Sequence, residues 1–406
     1  MEAQDLRGAA AIVGFGDKYC KPHEMISPLH LAGLAVRSAL QDAGLKKDDI
    51  DGVLTGREPS GDERPQWQNI LCAYLKMTPR YSSQITIHAA GMNAMLKHAA
   101  MAVTTGIAKY VLCVGCDSIS FLNARVQLAG TDTDPEFEQP YEAVIPAIYA
   151  QIACRLMHEQ GMTERHLAAV SVACQQWAVH HPYATKGPKG LVTMDEVLNS
   201  RMIASPLRLW MCSTFGPPGA AGAVVVTTAE NARKMCKHPI YILGAGECVT
   251  HDYLTDRLGL RHSRLPFGKL PNITSFGCRV AADLAYKMAK LTPADIDIVQ
   301  TPSNFAHSAL LSLWECGFAS STADAGELLL SGKTGLGGDL PTNTNGGWIS
   351  FGQCGIACVM DSVMETVRQL RQETLGKRVE RPEIGLVHAL GGMQACHSVT
   401  ILSTAR

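Results

Sequence analysis

Two glycine-ended apolar runs, one near the start of the chain and one just past its middle, limit the possible folds more than any other feature. The first is AIVGFG at residues 11–16 and the second is YILGAG at residues 241–246. Such runs are typical of buried strands, and their recurrence indicates two related halves. A chain of 406 residues also exceeds a typical domain, which has roughly 150 residues. We place the halves at residues 1–236 and 237–406.

Strand and helix patterns alternate within each half. In the first half, residues 29–45 have the apolar spacing of an amphipathic helix and precede a short strand at residues 51–54. In the second half, a helix at residues 281–289 precedes a strand at residues 296–300. This alternation predicts an α/β fold with buried sheets. Residues 117–220, rich in helix-forming and aromatic residues, are predicted to form an insertion over the active face.

The charge content excludes two classes of partner. The 36 basic and 37 acidic side chains give a formal net charge of −1, without a basic cluster, so we expect neither a nucleic acid nor an anionic membrane surface as a partner. No apolar stretch approaches the roughly 20 residues that span a bilayer. The chain opens without a cleavable apolar segment, and we therefore expect a cytoplasmic protein.

The 14 cysteines are scattered along the chain, as expected for reduced thiols. The single C-x-x-C pair, Cys113 and Cys116, lies in a predicted strand, where positions three apart point to opposite faces. The sequence therefore predicts no metal site.

Four loops combine polar residues with glycines between apolar strands, where functional residues concentrate. In the first loop, residues 86–94, His88 stands where a strand leads directly into a helix. The positive end of a helix favours bound anions, so His88 is a candidate binding residue. The alternative is a structural histidine that caps the helix.

The other three loops are residues 343–355, 387–394 and 301–305. Glycines beside asparagines permit left-handed backbone and a close approach to a ligand, which makes residues 343–355 the most specific signal. The third loop places His388 shortly before a glycine pair, and the fourth leads from a strand into a helix. The candidate binding residues of these loops are Asn304, Asn345, Gly346, Gly347, Gly391 and Gly392.

Taken together, these loops resemble the thiolase superfamily, in particular the sterol-carrier-protein-type thiolases and lipid-transfer-protein-like aldolases. Residues 114–120, VGCDSIS, look like the family turn Gly-Gly-x-Glu-x-Met-Ser, and residues 343–347 match Asn-x-Asn-Gly-Gly. The resemblance covers essentially the whole chain. It implies the five-layered αβαβα fold, built from two similar halves, and a homodimer whose active sites lie beside the interface.

The chain departs from the thiolase pattern at each catalytic position. His88 matches the nucleophilic cysteine, although a shift of one residue would place Ala89 there. Gln353 stands at the catalytic histidine and Cys354 at the proline that follows it, while His388 replaces the second cysteine. Pro302 replaces the asparagine. The histidine at position 88 is either natural or an introduced substitution.

The resemblance implies roles for these replacements. His388 would act as general acid or base, and backbone N–H groups near Gly391 and Gly392, with His88 or Gln353, would hold an enolate or oxyanion. Cys354 is either a replacement nucleophile at a helix start or a buried apolar residue. The role of the lost asparagine would pass to Asn304 or Asn345.

The activity implied is carbon–carbon bond cleavage or formation next to a CoA thioester, as retro-Claisen thiolysis without the usual cysteine. The alternatives are a retro-aldol lyase acting on a β-hydroxyacyl-CoA and a non-catalytic acyl-CoA-binding or lipid-transfer protein. Coenzyme A would be substrate or product, with no permanently bound cofactor. Cysteine-poor members commonly work with a small zinc-ribbon and OB-fold subunit that binds the acyl-CoA, and the chain is similar in organisation to benzoylsuccinyl-CoA thiolase subunits.

Overall fold

One mixed sheet runs through the protein. The computed structural model describes residues 6–60, 62, 64–119, 133–141, 144–255, 273–274 and 276–406. The strands are β1 Ala10–Tyr19, β2 Gly52–Thr55, β3 Tyr81–Gln84, β4 Val111–Ser118, β5 Met202–Ala204, β6 Leu207–Arg208, β7 Gly219–Thr228, β8 Ile240–Val249, β9 Ile298–Gln300, β10 Ile384–Gly391 and β11 Cys396–Ser403. The α-helices are α1 Pro28–Ala43, α2 Trp67–Leu75, α3 Gly91–Thr104, α4 Ile145–Gln160, α5 Glu164–Ala178, α6 Met194–Leu198, α7 Ala229–Met235, α8 Cys278–Ala289, α9 Ala306–Glu315, α10 Thr322–Leu330, α11 Gly347–Ser350 and α12 Ala357–Arg371.

The strand order has an internal symmetry. Nine strands join in the order β3-β2-β4-β7-β1-β8-β11-β10-β9, while β5 and β6 form a separate hairpin. On one side, β1 is antiparallel to β7, β7 is antiparallel to β4, and β4 is parallel to β2. On the other side, β8, β11, β10 and β9 repeat the same order and directions. The two sets meet where β1 pairs with β8. The boundary after residue 236 stays a prediction, just before β8.

Helices cover both sets of strands and also separate them. Helix α1 packs on β1, β7 and β4, and α8 packs on β8 and β11. Helices α3 and α12 lie between the two strand sets, because each contacts strands of both. The layers are therefore helix, first strand set, helix pair, second strand set and helix. The predicted five-layered αβαβα fold is confirmed.

The glycines of the two apolar runs allow the outer helices to approach the sheet closely. A β-carbon on any of these glycines would collide with a backbone carbonyl of the facing helix. The facing pairs are Gly14 with Ala39, Gly16 with Ala35, Gly244 with Ala285 and Gly246 with Ala281. Alanines four residues apart lie on one helix face, so the same strand–helix contact is built twice.

The predicted insertion, residues 117–220, lies between β4 and β7 and contains α4, α5, α6 and the β5–β6 hairpin. Its residues 120–132 and 142–143 lie outside the described part of the chain. Helix α5 contacts α9, α10 and α11, which belong to the second half of the chain. The insertion therefore reaches across to the loops that follow β9.

Cys113 and Cys116 point to opposite faces of β4, as predicted, one into the core between the sheets and the other into the outer core. Among the residues that the structure describes, no helix combines the length and apolar character needed to cross a bilayer.

Candidate active site

The structure brings His88 and Ala89 against the glycine pair after β10. A β-carbon on Gly391 would lie 2.5 Å from Cβ of His88 and 2.9 Å from the backbone nitrogen of Ala89. A β-carbon on Gly392 would lie 3.4 Å from Nε2 of His88. Glycine is therefore needed at position 391 for the histidine to fit. The predicted first and third loops meet here.

His88 itself has a left-handed backbone, with φ 46°. This conformation is uncommon for a residue with a side chain, and such residues concentrate at functional sites. The carbonyl groups of His88 and Ala89 accept hydrogen bonds from Gly91 (3.2 Å) and Met92 (3.1 Å), which begin α3. The left-handed residue at the strand-to-helix junction is thus His88 and not Ala89.

A tyrosine from the insertion reaches the same glycine pair. The hydroxyl of Tyr149, in α4, donates a hydrogen bond to the carbonyl oxygen of Gly392 at 3.2 Å. The Tyr149 ring stacks on Phe305, with centroids 4.6 Å apart, and lies 5.7 Å from the ring of His307. An imidazole and a phenol therefore both approach Gly392.

His307 lies beside this tyrosine as a neutral imidazole. Its side chain is fully buried, and burial lowers its pKa to about 3. Neither ring nitrogen has a hydrogen-bond partner among the described residues. Neither Tyr149 nor His307 was predicted from the sequence. The one signal for His307 was its place three residues after Asn304, at the start of α9.

A short segment ties the second predicted loop to the fourth. Ser213 donates from its hydroxyl to Oε1 of Gln353 at 2.8 Å and from its backbone nitrogen to the carbonyl of Asn304 at 2.7 Å. The backbone nitrogen of Gln353 donates to the carbonyl of Thr214 at 2.7 Å. The side-chain oxygen of Asn304 is buried without a hydrogen-bond partner in the described structure. Gln353 and Asn304 are thus neighbours through Ser213.

Asn345 serves the turn in which it lies. Its side-chain oxygen accepts a hydrogen bond from the backbone nitrogen of Gly347 at 2.9 Å. Gly346 and Gly347 have left-handed backbones, with φ 106° and 58°. A β-carbon on Gly347 would lie 2.7 Å from the hydroxyl oxygen of Ser303, so this loop packs closely against residues 301–305.

The position of Cys354 does not suit the replacement nucleophile considered from the sequence. Its side chain is fully buried, and its Sγ donates to the backbone carbonyl of Asp117 at 3.5 Å. Burial raises the pKa of the Cys354 thiol well above its usual range, with the Asp117 carboxylate adding to the effect. The structure therefore supports the alternative interpretation, a small buried residue.

His388 also lies away from the loops, and its expected contact with them is wrong. Its side chain points from β10 toward the outer helices and is 1% exposed. The Ser312 hydroxyl lies 2.5 Å from its Nδ1, and Nδ1 of His397 lies 3.1 Å from its Nε2. Burial lowers the pKa of His388 well below its usual value, so the imidazole is neutral. A buried structural histidine describes this environment better than an acid or base in contact with substrate.

Two further residues beside His388 carry ligand atoms. Cys278 and Cys316, both buried, bring their sulfur atoms within 4.8 Å of one another and of a His388 ring nitrogen. No metal site was predicted from the sequence, and these three residues have none of the close spacing that marks one.

A cavity of about 560 Å³ lies elsewhere, on another face of α4. It is lined by Gln151, Cys154 and His158, with Ser205 and Ile273. None of these residues belongs to the loops described above. The cluster around Gly392, which collects polar groups from distant segments, is therefore the better candidate for chemistry.

Comparison with known proteins agrees with this architecture. The thiolase C-terminal domain-like family matches residues 259–404. The 17-hydroxy-3-oxo-4-pregnene-20-carboxyl-CoA lyase of Mycobacterium tuberculosis is 33% identical over 95% of this chain and 96% of its own length. The benzoylsuccinyl-CoA thiolase subunit BbsB of Thauera aromatica is 30% identical over 79% of this chain and 78% of its own.

A solved structure, the Ltp2-ChsH2(DUF35) aldolase, superposes with a TM-score of 0.82 at 27% identity, covering 99% of both chains. The agreement extends over the whole chain in sequence and in structure. The chain belongs to the thiolase superfamily.

Proposed function

We propose that this chain is the catalytic subunit of a CoA-thioester lyase that splits a β-hydroxyacyl-CoA by a retro-aldol reaction. The observation that carries the proposal is the left-handed His88 at the start of α3, where a thiolase has its cysteine. Burial of Cys354 supports it further, since the thiol considered as a replacement nucleophile is enclosed and protonated. An acyl-cysteine intermediate thus has no support at either position.

The reaction needs a group that holds the thioester oxygen and a group that moves a proton. We assign the first role to His88, whose imidazole stands beside Gly392 at the helix start. We assign proton transfer to Tyr149, whose hydroxyl reaches the same glycine. His388, considered for this role from the sequence, is not used, because its ring points into the outer core.

In the retro-aldol step, Tyr149 acts in its phenolate form and takes the β-hydroxyl proton. The Cα–Cβ bond breaks, and its electron pair becomes the thioester enolate. The phenol of Tyr149 then returns the proton to Cα, which regenerates the phenolate. The products are a shorter acyl-CoA and a ketone or aldehyde, and no free CoA is consumed.

Two of the similar proteins are a lyase and an aldolase by name, which supports the same reaction class. The similarity to a benzoylsuccinyl-CoA thiolase subunit favours a second candidate, retro-Claisen thiolysis, in which free CoA is consumed. A non-catalytic acyl-CoA-binding subunit is the third.

We further propose two protein partners. The Ltp2-ChsH2(DUF35) aldolase combines two named components, and we expect a small zinc-ribbon and OB-fold subunit to complete the acyl-CoA site here. We also expect a homodimer. Strand β3 supports this, because it is one of the two edge strands of the sheet and pairs with β2 alone among the described strands.

The decisive experiment uses the complex purified with its partner subunit. It is incubated with a β-hydroxyacyl-CoA and, separately, with the matching β-ketoacyl-CoA, each with and without free CoA. Mass spectrometry then identifies the products. A ketone or aldehyde formed without free CoA is the expected result. Two CoA esters formed only with free CoA would establish the thiolase instead, and unchanged acyl-CoA bound in equal amount would establish a binding subunit.

A further inference from the structure

Three potential metal ligands converge in the outer layer of the second half of the chain. Cys278 begins α8, Cys316 follows the last residue of α9, and His388 lies in β10. The sulfur atom of Cys278 lies 3.8 Å from that of Cys316 and 3.7 Å from Nδ1 of His388. All three are buried. The cluster is separate from the His88 site, and its function does not depend on the proposed reaction.

The distances from the Cys278 sulfur to the Cys316 sulfur and to Nδ1 of His388 are those of a tetrahedral zinc site. With Zn–S bonds of about 2.3 Å and Zn–N bonds of about 2.0–2.1 Å, tetrahedral geometry places two sulfurs about 3.8 Å apart and a sulfur and a nitrogen about 3.6 Å apart. The third pair, the Cys316 sulfur and a His388 ring nitrogen, lies within 4.8 Å, so the three ligand atoms are close enough to share one ion after a small side-chain adjustment. Cysteine sulfur and imidazole nitrogen are also the ligands that zinc prefers.

The hydrogen bonds around His388 leave the right nitrogen for a metal. Nε2 of His397 lies 3.0 Å from the carbonyl oxygen of Gln394, which only accepts, so this nitrogen carries a proton. When that is the only proton on the ring, Nδ1 of His397 accepts a hydrogen bond from Nε2 of His388. In this tautomer Nδ1 of His388 keeps its lone pair, which faces Cys278 and Ser312. Metal-bound histidines show this same arrangement, with the other ring N–H held by a second group.

The charges of the two cysteine thiolates would also balance that of a divalent ion. A buried thiolate alone is costly, and burial raises the pKa of Cys278 well above its usual range. Two thiolates and one divalent cation sum to zero, so the occupied cluster carries no net charge into the core. Binding would release two thiol protons to solvent.

We propose that Cys278, Cys316 and His388 bind one zinc ion, with the Ser312 hydroxyl or a water at the fourth position. The ion would join α8, α9 and β10. Through His388 and His397 it would also fix the carbonyl of Gln394, two residues after Gly392. We therefore expect zinc to stabilise the glycine loop that faces His88.

The test is metal analysis of the full chain in complex with its partner subunit, produced in zinc-replete medium. Wild type and Cys316→Ser are compared, with Cys113→Ser as the control, since Cys113 is an equally buried cysteine in β4. We expect Cys316→Ser to lose one equivalent of zinc per chain and Cys113→Ser to lose none. Zinc in the partner subunit is common to all three samples and cancels in the comparison.

A second measurement guards against a variant that fails to fold. In wild type, a chelator should lower the melting temperature of this chain, and zinc but not magnesium should restore it. Cobalt in place of zinc should give a thiolate charge-transfer band that is weaker in Cys316→Ser than in Cys113→Ser. Equal zinc content in the wild type and a folded Cys316→Ser variant would overturn the proposal. So would a disulfide between Cys278 and Cys316, located by peptide mapping under non-reducing conditions.

Discussion

At the residue scale, the candidate site depends on Gly391 and Gly392. Position 391 has no room for a β-carbon beside His88, and the carbonyl of Gly392 holds the hydroxyl of Tyr149. The glycines thus place an imidazole and a phenol around one point. The left-handed backbone of His88 is maintained by this close contact and by the first turn of α3.

Replacing Tyr149 with phenylalanine tests the proton-transfer role. The ring and its stacking on Phe305 are kept, and only the hydroxyl is lost. We expect kcat to fall by about 100-fold or more, with KM and the melting temperature little changed. Steady-state kinetics and thermal unfolding measure both quantities. Tyr74→Phe, at a half-exposed tyrosine of α2, is the control, and equal activity in the two variants would remove Tyr149 from the mechanism.

Cys354→Ala tests the assignment of this residue to the core. Because the thiol is enclosed and its pKa is raised, we expect kcat/KM to stay within about threefold of wild type. The free energy of unfolding should fall by about 1 kcal/mol, as is common for a lost core atom. Kinetics and urea denaturation give the two values. A folded variant with less than one-hundredth of the activity would restore Cys354 as a nucleophile.

At the element scale, the close contact of a strand with its outer helix recurs in both halves. Gly14 and Gly16 of β1 lie against α1, and Gly244 and Gly246 of β8 lie against α8. In each case the obstacle to a larger residue is helix backbone, which cannot rotate away. The glycines therefore set the distance between sheet and helix, and with it the position of α8 and of Cys278 at its start.

Gly244→Ala should be strongly destabilising for this reason. The added methyl group meets the carbonyl of Ala285, and we expect the free energy of unfolding to fall by about 2 kcal/mol or more. Gly33→Ala is the matched control, since Gly33 lies within α1 and faces side chains instead of backbone, with the Tyr74 ring 3.2 Å and Leu75 3.9 Å from the new carbon. That change should be neutral or stabilising by up to about 1 kcal/mol. Denaturant unfolding compares the two, and similar stabilities would contradict the steric argument.

At the scale of the whole molecule, α12 holds the two strand sets together. Arg368 forms two hydrogen bonds to the carboxylate of Asp17 in β1, at 2.6 and 3.0 Å. One turn earlier, Glu365 accepts hydrogen bonds from the Thr344 hydroxyl (2.6 Å) and the Gln369 amide (2.9 Å). Helix α12 therefore joins the first half to the asparagine–glycine loop of the second.

Glu365 should make the stability of the fold depend on pH. Burial raises its pKa from 4.5 to about 7, against the lowering effect of its hydrogen bonds and of Arg368. Between these values the folded protein keeps a proton that the unfolded chain loses. Stability contributed by this group is therefore present at low pH, falls as pH rises toward 7, and is lost above it.

Glu365→Gln should remove this dependence while keeping an oxygen acceptor for both donors. We expect the variant to resemble wild type near pH 5 and to exceed it at pH 8 by up to about 3 kcal/mol. Urea denaturation at the two pH values measures the difference. Asp195→Asn, on the short helix α6 away from this network, is the control. Parallel pH profiles for Glu365→Gln and wild type would exclude Glu365 as the source.

The two-half organisation of the fold could be derived from the sequence because its signals are local. Apolar runs with glycines two residues apart, and alanines four apart on the facing helices, specify strand and helix contacts within some 45 residues of chain in each half. The resemblance at residues 343–347 then supplied the five layers. A second local rule is the alternation of side chains along a strand. It correctly placed Cys113 and Cys116 on opposite faces of β4.

The composition of the site was predicted only in part. The first and third loops do meet, and His88 lies on the glycine pair as their similarity to thiolases implied. His388 was assigned to the same place from its nearness to Gly391 in sequence. On a strand, however, neighbouring residues alternate, and Val387 and Ala389 take the inner face, so His388 faces the outer helices.

The sequence by itself thus determined the repeated strand–helix units, the glycine loops and the histidine at the start of α3. Only the tertiary structure brought Tyr149 to Gly392, which lies 243 residues further along the chain. It likewise brought Cys278 to Cys316, 38 residues away, and to His388, 110 residues away. Contacts at such separations depend on the path of the chain between layers rather than on local residue preferences. The physical reason is that the identity of a side chain fixes its own donor, acceptor and ligand atoms. The packing of helices on the sheet fixes which distant side chains those atoms contact.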